Sequence, residues 1–335
     1  MNTPVSTFSR NIGAMPHCET AVESLQVDCG ELPARAMAAR FKGSGGVMEC
    51  HVTVQLTGNT PHALETLDLA WRRALSELDI DASSTVFTRF FTSDVVNHEA
   101  DVRECARLVP GARSIIGQTP LPSSKFALWS MHVVDPAGPL DLTQETSGCT
   151  LRRGNLAHHW GVEMTDPGDG SSYQQTNRIL DHHKQWLDAR GMKLADHVVR
   201  TWWFVRNIDA DYHGLVNARR EHFAFHGLTR DTHYIASTGI AGAHSALKAK
   251  LSLDSYAIAG LQERQLEFVH STDHFCPNQD YGVTFERATA VTYADRRHVF
   301  LSGTASIDAS GNILHEGDVV KQLDLTLENI EALLA

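Results

Sequence analysis

Cysteine is sparse and scattered, with six in 335 residues and none forming a CxxC pair. Such usage fits reduced thiols better than a disulfide framework or a zinc ribbon. No stretch reaches the ~18 consecutive apolar residues of a membrane helix. The N-terminal twenty residues, with Pro4, Arg10 and Pro16, hold no apolar run of the kind a secretory signal needs. These absences predict a soluble, cytoplasmic protein without a membrane partner. Positive charge is also short, at 29 Lys and Arg against 40 Asp and Glu for a formal net charge of -11. A nucleic-acid groove needs clustered cations, so nucleic acid is not an expected partner. There is no G-x-S-x-G elbow, no P-loop, and no G-x-G-x-x-G after a strand. A serine nucleophile, a nucleotide and a redox cofactor are therefore not expected, and the cofactor expectation is none. Histidine is plentiful, at nineteen residues, but no HExxH or Cys/His spacing accompanies it. The adjacent pairs His158-His159 and His182-His183 diverge on a strand or a helix, so no metal is expected.

What the chain does have is a repeated pattern. Three segments, over 62–78 (HALETLDLAWRRALSEL), 173–189 (YQQTNRILDHHKQWLDA) and 318–334 (DVVKQLDLTLENIEALL), carry apolar residues at helical spacing. Leu67, Ala70, Trp71, Ala74 and Leu75 mark the first stripe. Ile179, Leu180, Trp186 and Leu187 mark the second, and Leu323, Leu327, Ile330 and Leu334 the third. After the first two helices come a polar turn and a run rich in β-branched and aromatic residues, over 86–91 and 198–205. Such runs predict strands. Polar, helical stretches then lead to closing strands over 126–134 and 251–258, and a further strand precedes each helix, over 49–56, 156–164 and 298–307. The unit is strand, helix, strand, helix, strand. Any α/β protein alternates in this way, but the matched order and spacing favour a true repeat. The third copy stops after its helix and reads as shortened.

The segment over 299–334 carries a set of spaced features: Ser302-Gly303, Gly311-Asn312-Ile313, Gly317-Asp318, Gln322, and Asn329-Ile330 through Leu333. In this it resembles the RidA/YjgF signature. Ala112-Arg113-Ser114 followed by Leu121-Pro122 resembles that family's "ARS…LP" stretch, whose Arg binds the substrate carboxylate. The second copy has Ile235-Ala236-Ser237-Thr238 there and lacks the Arg. Residues 281–288 (YGVTFERA) resemble the family's early strand, with Phe285 where a Tyr is usual. The family's closing-strand Glu falls near Trp129 in the first copy and near Tyr256, with Asp254 two residues earlier, in the second. Other pieces are similar to the chorismatases: Gly303 through Ile307 (GTASI), Phe285 through Ala288 (FERA), and Tyr212 with Asn217 and Arg220, or Arg219 if the register slips by one. The acid that chorismatases carry in the third helix is replaced by Leu325.

The resemblance implies an α/β (α+β) fold of tandem chorismate-mutase-like RidA repeats forming a pseudo-trimer, its third repeat truncated. The expected divisions are an N-terminal extension over 1–44, repeats over 45–140 and 150–262, and a partial repeat over 263–335. It also implies ligand clefts between repeats, a small carboxylic acid as substrate, and association into oligomers. Three functions follow: a RidA-like hydrolase or deaminase of an imine or enamine acid, a chorismatase-type enzyme, or a non-catalytic binding protein. A guanidinium suits a carboxylate because its planar fork makes paired, charge-assisted hydrogen bonds. Arg113 is the leading candidate for that role, with a surface Arg as the alternative. Ser302 and Glu286 are further catalytic candidates: Ser302 either polarises substrate or sits in a turn, and Glu286 with Arg287 lines a cleft or forms a solvated pair. Phe285, Arg287, Arg200, Tyr212, Arg219 and Thr238 complete the expected substrate-binding set.

Overall fold

The computed structural model describes residues 22–58, 60–107, 109–121, 124–269 and 284–334. Asn59, Pro122, Cys18, Cys276 and the Tyr281 end of the early-strand motif lie outside the described residues. The first unit runs β1 (Glu23–Val27), β2 (Ala34–Lys42), β3 (Met48–Leu56), α1 (Ala63–Glu77), β4 (Thr85–Thr92), α2 (Val95–Ala106), β5 (Ala112–Gly117) and β6 (Phe126–Val134). Its six strands pair in the order β1-β2-β3-β6-β4-β5. The second unit runs β7 (Asp141–Glu145), β8 (Gly148–Arg153), β9 (Leu156–Thr165), α3 (Ser172–Asp188), the single turn α4 (Leu194–His197), β10 (Val198–Val205), α5 (Ile208–Phe225), β11 (Ala236–Ala241) and β12 (Leu251–Ala259). Its order, β7-β8-β9-β12-β10-β11, reproduces the first. In both, the strand after the first helix pairs parallel with the strand after the second helix. The third unit contains β13 (Leu266–Val269), β14 (Ala288–Thr292), β15 (Arg297–Leu301) and α6 (Val319–Leu334).

The local reasons are legible. Ser171 caps α3 by accepting from the Gln174 N–H while the Gln174 side chain returns to the Ser171 backbone, a reciprocal capping box. Leu67, Ala70, Trp71, Ala74 and Leu75 bury the inner stripe of α1 against the first sheet. Ile179, Leu180, Trp186 and Leu187 do the same for α3 on the second sheet. The opposite sheet faces meet in a third core to which every unit contributes: Phe87 and Val133 from the first, Trp160 and Tyr256 from the second, Val291 and Tyr293 from the third. Helices outside and three sheets facing inward make a single-chain pseudo-trimer. No helix among the described residues is long and apolar enough to cross a membrane.

Three expectations change. Residues 22–42, assigned to an extension, include two strands of the first sheet, with β2 paired to β3 from Ala34↔Leu56 to Lys42↔Met48. Their inward positions are the small Ala36 and Ala38, while Met37 points outward at 56 % exposure, so the strand alternation is faint in sequence. Residues 141–149, left between repeats, hold β7 and the start of β8. The strand expected over 298–307 ends at Leu301. Beyond it the Ser302 N–H turns to the Arg287 carbonyl at 2.9 Å. Buried Asn329 then donates to the Ala305 and Ile307 carbonyls, each at 3.1 Å, which draws the chain toward α6 and away from the sheet.

Candidate functional site

A packed seam and a crevice between units collect the sequence-nominated residues. The seam lies between the second and third units, where β11 runs beside the chain entering β14. The Glu286 N–H donates to the Ile235 carbonyl at 3.2 Å, and the Ser237 N–H donates to the Ser302 hydroxyl at 2.8 Å. The Ser302 hydroxyl in turn donates to the Glu286 carbonyl. Its proton is therefore engaged within the third unit while its oxygen accepts across to the second, and a role in polarising substrate has no geometric support. The Glu286 side chain is buried and accepts the Tyr234 N–H at 2.5 Å. Phe285, Glu286 and Arg287 each make further contacts.

Behind this seam, α5 delivers Arg219, which is 1 % exposed. Its Nε donates to the Thr284 hydroxyl at 3.0 Å and its Nη1 to the Ser237 hydroxyl at 3.2 Å. The Phe285 ring centroid lies 5.9 Å from the guanidinium carbon, and the Tyr212 hydroxyl is beside it. Its Nη2 is buried without a hydrogen-bond partner. Burial lowers the proton affinity of this guanidinium, with Tyr212 opposing. A buried guanidinium with an unpartnered Nη2 retains donor capacity of the kind a carboxylate can satisfy. Of the two alternatives the sequence offers, Arg219 enters the seam, while Arg220 is exposed and bonds Asn217.

Arg200, buried on β10, donates to the Thr201 carbonyl at 2.9 Å and to the Thr238 hydroxyl. Burial and the nearby Arg89 bring its pKa down to about 9. The Trp202 ring has the Arg200 guanidinium at 4.9 Å and that of Arg89 at 5.1 Å. A Cβ on Gly303 would meet only the Thr238 side chain, at 3.6 Å, so space remains beside it. A Cβ on Gly239 would stand 2.6 Å from the Tyr212 ring, which explains a residue without a side chain on β11.

The crevice lies between the first and second units and has a volume of about 190 Å³. Arg103, Arg107, Arg113 and Glu163 are among its lining residues. Arg113 is half-buried on β5, and its Nη1 donates to the Ala106 and Val109 carbonyls at 3.0 and 3.5 Å. It thus caps the C-terminal end of α2 as well as facing the crevice. Phe87 pairs with Ala112 and Arg200 with Ala236, so Ser237 stands where Arg113 does in the other unit. At the closing-strand position Trp129 of β6 stands opposite Arg89 and Asp254 of β12 stands opposite Trp202, so the second unit keeps a carboxylate there, and Arg89 takes it up. Trp129 stacks on His51 at 5.5 Å, and the Tyr256 hydroxyl bonds His158 at 2.6 Å.

Glu163, Arg89, Ser237 and Thr284 were not singled out from sequence. Asp254 had been noted only for its place near the closing-strand Glu; it is 1 % exposed and accepts Arg89 Nη2 at 2.8 Å and the Glu163 N–H at 2.9 Å. The available signal was a charged residue inside each of three apolar strands, TRFF, GVEM and SLDSY. Among the described residues, no three His, Cys, Asp or Glu side chains converge as a metal set.

No protein-family model matches the sequence, and a sequence search of curated proteins finds no match. Among solved structures, a chorismatase matches with a TM-score of 0.52 at 20% identity, over 75% of this chain and 72% of that one. A YjgF-family member from Neisseria meningitidis matches 35% of this chain and 89% of its own, at 15% identity and a TM-score of 0.29. A member of the YjgF/YER057c/UK114 family from Mycobacterium tuberculosis matches 33% of this chain and 84% of its own, at 22% identity and a TM-score of 0.26. The chain therefore has a chorismatase-like fold, with the repeat unit used in tandem.

Proposed function

We propose that the chain is a hydrolase of a small unsaturated carboxylic acid, bound at the seam between the second and third units. The enol-pyruvyl ether of chorismate is the first substrate to test. One observation carries this reading: Arg219 is fully buried, is held by the hydroxyls of Thr284 and Ser237, and keeps an unpartnered N–H. A buried donor of that kind is costly to leave unmade, and a ligand carboxylate would satisfy it. Tyr212 and Phe285 stand against the same guanidinium, while Arg200 and Thr238 lie on the other face of β11.

Hydrolysis of an enol ether adds a proton to the terminal methylene carbon and water to the resulting cationic carbon. The hemiketal then collapses to pyruvate and an alcohol. Leu325, half-buried on α6, cannot donate that proton. Glu286 lies on the segment that pairs with β11, and proton transfer is assigned to it. A deaminase working in the crevice between the first and second units would use Arg113. Part of that guanidinium already holds the end of α2, which weighs against this alternative.

The test is pyruvate release from chorismate, read by a lactate dehydrogenase couple. The intact chain should turn over, and Arg219→Met should lower kcat/KM by about 100-fold or more, since a charge-assisted carboxylate contact is lost. Chorismate that raises the unfolding temperature without pyruvate appearing would leave a binding protein. No shift and no turnover would remove the proposal.

A further inference from the structure

We infer that Glu163 is a built-in ligand of an anion site in the crevice between the first and second units, closing that crevice to free carboxylic acids. This site is separate from the seam assigned to substrate above. The Glu163 carboxylate is held as a small acid would be. One oxygen accepts the Ile115 N–H of β5 at 2.8 Å, and the other accepts Arg103 Nη2 at 3.0 Å. One backbone donor and one guanidinium make a complete receptor for a monocarboxylate. Arg107 and Arg113 line the same crevice.

The backbone is distorted to deliver this side chain. Glu163 has φ of 53°, a left-handed conformation that is strained for an L-residue of this kind. The β9–β12 register breaks between Leu253 and Ser255, opposite Glu163, and Asp254 accepts the displaced N–H. Only 13% of the side chain is exposed. Burial pushes the Glu163 carboxyl up, against the lowering charge of Arg103. A strained, desolvated carboxylate persists here because the N–H and guanidinium around it need an anion. The rest of the crevice, about 190 Å³, has room for an acid of a few carbons once the side chain is gone.

Glu163→Gly removes the carboxylate and lets the backbone keep its conformation without strain. Thermal unfolding is followed with tens of millimolar sodium propionate, against sodium chloride at equal ionic strength. The expected result is a propionate-specific rise of about 2–4 °C in Glu163→Gly and none in the unsubstituted chain. The rise should vanish when Arg103→Ala is added. A folded Glu163→Gly with no propionate response overturns the inference. So does an equal response in the unsubstituted chain or in the double variant. Should Glu163→Gly not fold in chloride, recovery by propionate supports the inference and absence of recovery opposes it. Glu163→Ala, which also removes the carboxylate and empties the site, must then show the propionate rise, and its failure to do so is decisive against the built-in ligand.

Discussion

Removing Asp254 should unfasten the first unit from the second. Its carboxylate takes Arg89 Nη2 from β4 of the neighbouring unit at 2.8 Å, with the two side chains only 1% and 8% exposed. Asp254→Ala leaves the guanidinium buried without its counter-charge, a change that costs about 3–5 kcal/mol. Four rings, of Phe87, Trp129, Trp202 and Phe204, stand 5.0 to 5.8 Å from that guanidinium and soften the loss. The net destabilisation should therefore sit near the lower end, about 3 kcal/mol. Replacing both partners, as Arg89→Met with Asp254→Ala, removes the stranded charge. It leaves only the Glu163 N–H without its acceptor, at about 1–2 kcal/mol. Urea unfolding followed by tryptophan fluorescence measures both, since Trp129 and Trp202 flank Arg89. The double variant should be the more stable of the two, with a coupling of at least about 1 kcal/mol in the full cycle. A single variant within about 1 kcal/mol of the parent, or a double variant less stable than the single, would refute this account of the joint.

Two other outcomes concern the closure of the ring and the entry to β5. Glu49 of the first unit receives Arg296 and, at 2.7 Å, His298 of the third. Burial alone would raise its carboxyl, but the His298 hydrogen bond and the charges of His298 and Arg296 bring it down to about 2. Because its folded pKa is below the ordinary 4.5, its stabilisation is complete above that value and is lost as pH falls toward about 2. Glu49→Gln should be less stable at neutral pH and should flatten the acid limb of a stability-versus-pH curve; an unchanged limb would exclude the clasp. Gly111 has φ of 79°, and a Cβ there would stand 2.4 Å from the Val86 carbonyl oxygen. Gly111→Ala should cost about 2 kcal/mol or more in urea unfolding, and an effect below about 0.5 kcal/mol would show that the turn relaxes freely.

Sequence by itself determined the repeat and most of its elements. Period settled the helices, as in the Leu67–Trp71–Ala74 stripe, and dense β-branched and aromatic runs settled β4 and β10. These are local properties: a helix or buried strand must show one period or one composition along its own length. Strand β2 was missed because alanines at its inward positions give almost no contrast, and its pairing with β3 depends on a neighbour. Among site residues, Arg113 and Arg219 were nominated from motif resemblance, but the partners each guanidinium takes were not readable. The pairing of Arg89 with Asp254 spans 165 positions, and the left-handed turn at Glu163 exists only because β9 bulges against β12. Tertiary structure alone decided which charges are buried together, because burial and counter-charge belong to the joint between units and not to either strand alone.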